Sequence, residues 1–144
     1  MIQSKDEAIA LLKEENFSCV IWKKDHAICD KDLGIKPLMK QLRLDKQAFS
    51  GAIIADRIVG KAAALMTVLG GAVFVFGSTM SETAIEIFDK NNIPYEYDSL
   101  VPFILNRTKD DKCPMEKTVE NIEDPTIAFE ALEKTIQKLM SAKS

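Results

Sequence analysis

A chain of 144 residues and 16.1 kDa, 47% hydrophobic and 28% charged, has the balance of a globular protein large enough to bury a core. Its formal net charge of −3 argues against electrostatic nucleic-acid binding, which requires a clustered basic surface. No apolar run reaches transmembrane length, and the opening MIQSKDEAIA is polar and acidic rather than signal-like, so neither a membrane nor a nucleic acid is an expected partner.

Ser4 and Glu7 are spaced as a capping box ahead of Ala8, Ile9, Leu11 and Leu12, which predicts an amphipathic helix from about residue 4 to 15. Apolar runs at Phe17–Trp22 and Ala27–Cys29 flank Lys23-Lys24-Asp25-His26, the pattern of a β-hairpin with His26 in its solvated turn. Ile35, Leu38, Met39 and Leu42 then fall at i, i+3, i+4 and i+7, a short helix with Pro37 in its first turn. The chain has three cysteines, Cys19, Cys29 and Cys113, an odd number without zinc-ligand spacing. That usage fits a reducing cytoplasm. Cys19 and Cys29 either face each other across the hairpin or are reduced, buried thiols, and the second reading is preferred.

The stretch from Gly51 to Ser81 predicts a buried strand at Ala52–Ala55, then a helix over Arg57–Leu69 with almost no polar face. Asp56 is placed to cap that helix, Gly60 to admit a neighbouring backbone, and Gly70-Gly71 to stop it. A second buried strand follows at Ala72–Phe76. Gly77-Ser78-Thr79 is expected to turn into another helix, with Thr79 and Glu82 as its capping box. Ile85, Ile87 and Phe88 line that helix as far as Asn91-Asn92, and a third strand spans Ile93–Tyr97, with Pro94 either placing it near an edge or making it start late, and Asp98 closing it.

Leu100–Leu105, interrupted by Pro102, reads as an ordered turn or short helix, and Asn106–Lys112 as a charged loop. Cys113-Pro114-Met115-Glu116 and Asp124-Pro125 both have the form of helix starts. The last helix carries its buried stripe on Ile127, Ala128, Ala131, Leu132, Ile136, Leu139 and Met140. Alternating strands and helices after the hairpin imply right-handed crossovers and a mixed sheet within one domain spanning residues 1–144. No repeat or linker divides it.

KPLM at Lys36, ADRIVGKAAA from Ala55, the Ser78–Glu82 turn, YDSLVPFILNR from Tyr97 and CPMEKTV from Cys113 together resemble an uncharacterised prokaryotic family, domain of unknown function 1893. The resemblance spans nearly the whole chain. It places the family in the cytidine-deaminase-like superfamily and implies a three-layer α/β/α sandwich. Zinc deaminases, however, carry a His or Cys plus a catalytic Glu at the start of the core helix and Pro-Cys-x-x-Cys at the start of the next. At the corresponding places this chain has Asp56-Arg57-Ile58-Val59-Gly60-Lys61 and Thr79-Met80-Ser81-Glu82. Asp56 and Glu82 alone make a poor zinc site, so no metal and no cofactor is expected, and hydrolytic deamination by zinc chemistry is disfavoured.

The site expected instead lies at the C-terminal ends of the parallel strands, where open α/β sheets bind ligands. Asp56 would be an acceptor or base there. Lys61 either snorkels to solvent or sits beside Asp56 to hold an anion. Gly60-Lys61 is not a Walker A motif, because Ala55 and Ala62 replace its first glycine and its hydroxyl. Ser78, Thr79 and Ser81, with Glu82, are read either as helix caps or as donors to an anionic ligand. Cys113 is a helix-start residue or a nucleophile, and the nearby Glu116 disfavours its thiolate. The first functional expectation is a metal-free pocket for a small anionic metabolite, such as a nucleotide or nucleoside derivative. The alternative is a non-enzymatic interaction or regulatory protein, and a homo-oligomer is compatible with either.

Overall fold

The computed structural model describes residues 2–142. Strands β1 (Cys19–Trp22), β2 (Ala27–Asp30), β3 (Ile53–Val59), β4 (Phe74–Ser81) and β5 (Tyr95–Val101) form a five-stranded sheet in the order β2-β1-β3-β4-β5. β1 runs antiparallel to β2 and β3, while β3, β4 and β5 are parallel, so the sheet is mixed as expected. The helices are α1 (Ile2–Glu14), α2 (Lys36–Leu44), α3 (Lys61–Gly70), α4 (Glu82–Lys90), α5 (Pro114–Val119) and α6 (Pro125–Ala142).

The two faces of the sheet are covered unequally. On one, α1 buries Ala8 and Leu12 against Val20, Ile53, Ala55 and Phe76. On the other, α3 is the centre of the larger core, where Leu65 and Met66 meet Ile54, Val75, Phe88 and Leu132. The other helices pack around α3, which explains its lack of a polar face: α2, α4, α5 and α6 all contact it. The result is an α/β fold with helices on both faces, a three-layer arrangement.

Several elements have other bounds than the sequence signals suggested. α1 starts at Ile2, so Ser4 lies inside the helix and forms no capping box. β3 continues through Asp56 to Val59, and α3 begins only at Lys61; Asp56 is a strand residue and not a cap. β4 likewise runs on through Gly77, Ser78 and Thr79 to Ser81. β5 continues past Asp98 to Val101, including residues read as a turn. In the three strands, pairing with a neighbouring strand overrides polar or glycine signals that locally favour a turn. The hairpin falls in the expected place, but its register pairs Cys29 with Val20 and leaves all three cysteines free, with Cys19 buried and Cys29 half-buried rather than buried. On α6 the buried residues are Ala128, Phe129 and Leu132, whereas Ile127, Leu139 and Met140 are exposed.

A break in strand pairing sets the geometry of the strand ends. Asp56 pairs with Gly77 and Gly77 with Tyr97, then Ile58 with Thr79 and Thr79 with Ser99, with no paired row at Arg57, Ser78 and Asp98 between them. Side-chain alternation changes there: Ile54 and Val75 enter the larger core, and so do Val59 and Met80, five residues further along each strand. Gly77 is required at this break, because a Cβ there would stand 2.8 Å from the Val59 side chain. The strand ends are thereby re-aimed, as irregular pairing commonly does beside functional sites.

Candidate functional site

β1 begins at Cys19, the partner of Asp56, so strand pairing on that side of β3 ends at Asp56, and the last backbone bond is Arg57 N donating to the Ser18 carbonyl at 3.1 Å. Ser18 and the Leu33-Gly34 turn approach the gap instead, and Gly34 takes the left-handed backbone (φ +63°) this turn needs. A crevice of about 120 Å³ remains, lined by Ser18, Leu33, Gly34, Asp56, Arg57 and Ile58.

Asp56 is only 5% exposed. Burial raises its carboxyl from the ordinary 3.8 to about 7, although backbone N–H groups of Ile58 and Arg57 donate to it and pull the other way. Burial, and next the charge of Asp56, raise the neighbouring Cys19 thiol well above its usual range, which leaves it an inert neutral group. Arg57 does not neutralise Asp56. Its Nε donates to the Phe17 carbonyl at 2.9 Å and its NH2 to the Leu12 carbonyl at 2.6 Å, fastening the end of α1.

A second crevice, of about 70 Å³, shares Gly34 and Ile58 with the first and is bordered further on by Gly60, Ala62, Ile104, Cys113, Met115 and Glu116. The start of α3 lies here. Gly60 precedes the helix and has no side chain to cap it, so the cap comes from α5: Glu116 Oε1 accepts from Lys61 N at 2.8 Å and Oε2 from Ala62 N at 2.9 Å. A Cβ on Gly60 would lie 2.5 Å from that carboxylate, so the close neighbour of this glycine is a side chain and not a backbone. Burial raises the Glu116 carboxyl, opposed by the two N–H bonds and by the charges of Lys61 and Lys112.

The other expected site residues divide between these crevices and the packing around them. Lys61 does not point freely into solvent: its ammonium donates to the Glu120 carbonyl at 3.0 Å and pairs with Glu123 at 3.0 Å. Among the described residues no ion pair joins it to Asp56. Ser81 caps α4, accepting from Ala84 N at 3.0 Å and bonding Thr83 at 2.7 Å, while Glu82 occupies the first turn. Thr79 is a strand residue, and the Ser78 hydroxyl is buried in the pairing break without a hydrogen-bond partner. Cys113 directly precedes α5, as the proline spacing predicted, and lines the second crevice beside Glu116. Among the described residues, no group of three or more His, Cys, Asp or Glu side chains is placed to hold a metal ion.

Ser18, Leu33, Gly34 and Ile58 were not foreseen as site residues, because only tertiary folding brings the 33–34 turn to the end of β3. The trans cap did leave a trace. A glycine before a helix, with no Ser, Thr, Asp or Asn to cap it, signals that the acceptor must come from elsewhere.

Comparison with known proteins agrees with the architecture. The profile of a domain of unknown function, DUF1893, matches residues 7–136. The crystal structure of a DUF1893 family protein, TM1506 from Thermotoga maritima, superposes with a TM-score of 0.82 at 22% sequence identity, covering 96% of this chain and 91% of that one. At that identity the likeness speaks for the fold. No curated protein matches the chain.

Proposed function

The chain belongs to the DUF1893 family, and we propose that it binds a small metabolite at the C-terminal ends of β3 and β4, with Asp56 as the group that reads it. What supports this is Asp56 itself: a carboxyl 5% exposed, bordering open space, with burial rather than a charged partner governing its ionisation. A buried carboxyl with no charged partner is costly in a purely structural role, and such groups cluster in binding and catalytic sites. A group titrating near neutrality can both donate and accept a hydrogen bond, and can exchange a proton with what it binds.

The resemblance to the deaminase-like superfamily makes nucleoside derivatives the first class to try. Zinc chemistry is no part of the reading, since the starts of α3 and α4 present Gly60-Lys61 and Ser81-Glu82. The anionic group expected from the sequence would need Lys61 released from Glu123. The geometry therefore favours a neutral ligand that donates to Asp56 over a phosphate held by Lys61.

Titration of nucleosides and their 5′-phosphates against wild type, Asp56→Asn and Lys61→Met separates these cases. A nucleoside should stabilise wild type, and Asp56→Asn should weaken it about ten- to a hundredfold, the worth of a charge-assisted hydrogen bond. Lys61→Met should change its affinity little. Equal affinity for Asp56→Asn would sink the reading, and tighter binding of phosphates that depends on Lys61 would replace it with the anionic one.

The interaction-protein reading has one observation in its favour. Leu33 and Ile58, at the mouth of the crevice, are 61% and 54% exposed. Under that reading Leu33→Ser and Ile58→Ser abolish partner capture while Asp56→Asn does not.

A further inference from the structure

α5 stands across the second crevice and is fastened to α3 by the Glu116 carboxylate, bound through both oxygens to the Lys61 and Ala62 amides. Its far end is anchored: Val119 is fully buried, and Thr118 meets Thr135 of α6 at 2.7 Å. Its near end carries Cys113 and Met115, which wall the crevice, and is joined to the preceding loop by Cys113 N donating to the Ile104 carbonyl at 3.0 Å. Lys112–Glu120 and Lys117–Asp111 tie that loop to the anchored last turn of α5, but both are exposed ion pairs, which hold weakly. The two Glu116 bonds are thus the main polar hold of the start of α5 on α3.

We propose that the start of α5 is a latch, closed while the ionised Glu116 caps α3 and released when that carboxyl takes up a proton, and that release widens the second crevice into continuity with the Asp56 crevice. A carboxylate can accept from both amides. Once protonated it keeps one good acceptor, the carbonyl oxygen, while the other becomes an O–H donor and a much poorer acceptor, so the bond to one of the two amides is weakened. The charges acting on Glu116 are Lys61 on α3 and Lys112 in the preceding loop, both favouring the ionised, closed form, whereas burial favours proton uptake. α6 meets α5 at Thr118, through the hydroxyl of Thr135. The latch rests on the ligand-site reading only for its purpose, and its test needs no ligand.

Glu116→Gln keeps the shape and removes one of the two acceptors. At constant pH near 7.5, exchange protection of the Lys61 and Ala62 amides should fall by about tenfold, the worth of one charge-assisted bond. The Ala84 amide, capped by Ser81, is the internal control. Modification of Cys113 by a neutral thiol reagent, mapped by mass spectrometry apart from Cys29, should accelerate in the variant. In wild type the Lys61 and Ala62 amide resonances should titrate together with the Glu116 carboxyl, at a pH above the usual glutamate range. Unchanged protection and unchanged Cys113 labelling in a folded variant overturn the latch. If Glu116→Gln does not fold, the wild-type titration decides, and amides that ignore the Glu116 carboxyl overturn it. Neither result touches the Asp56 titration, which stands or fails separately.

Discussion

Asp56 ties the candidate site to the stability of the fold through its proton. Its folded value lies above its unfolded one, so between the ordinary 3.8 and about 7 the native state holds the proton more tightly. The stability this confers is fully present below that window and is lost as pH rises through about 7. A difference of this size corresponds to on the order of 4 kcal/mol across the window. Ion-paired carboxylates run the other way: Lys90 and then Lys61 hold Glu123 below its usual range, so its stabilisation grows as pH rises from acid. The difference between wild type and Asp56→Asn therefore isolates the group. In urea unfolding the variant should gain on wild type from pH 4 to about pH 7 and level off above it, and parallel pH profiles would show that Asp56 ionises as freely in the fold as out of it. A residue that weakens its own fold at neutral pH is the kind kept for use and not for packing.

At the scale of elements, hydrophobic periodicity located most helices and strands, because burial against the sheet imposes it. The hairpin, α2, α4 and the starts of α5 and α6 stand close to where their spacing and prolines put them. What local signals missed was the length of β3, β4 and β5. Asp56-Arg57 and Gly77-Ser78-Thr79 carry turn-forming chemistry, yet pairing at Asp56, Gly77 and Thr79 carries both strands on through them. For the same reason only part of the site was legible: Asp56, Cys113 and Glu116 do border the two crevices, while Ser81 is occupied as a cap and Lys61 as an ion pair. The end of α3 was read correctly, and it makes a sharp test. Gly71 takes the left-handed backbone (φ +87°), and a Cβ on Gly70 would run into the fully buried ring of Phe49. Gly70→Ala should destabilise by about 1–3 kcal/mol through overpacking, against any gain in helix propensity. A variant as stable as wild type in urea would mean that Phe49 can move aside.

The whole molecule is a sheet with a thin cover on one side and a thick one on the other. Leu12 is fully buried under α1 and Leu65 fully buried under α3, in separate apolar clusters on opposite faces. Each Leu→Ala change should cost about 2–5 kcal/mol. Lying on opposite sides of the sheet without shared partners, the two losses should add to within about 0.5 kcal/mol in the double variant. A larger coupling energy would show that the layers communicate through the sheet. The sheet order also has a consequence for the chain as it is being made. β1 lies inside the sheet, between β2, which follows it by one short turn, and β3, which follows only after α2. During synthesis the hairpin leaves the ribosome complete on one side and open on the other, with Val20 and Ile21 uncovered along an unpaired edge until Ile53 and its successors emerge. Over that interval the nascent hairpin is a template for strand addition by other chains, and its protection falls to chaperones or to speed of translation rather than to its own sequence.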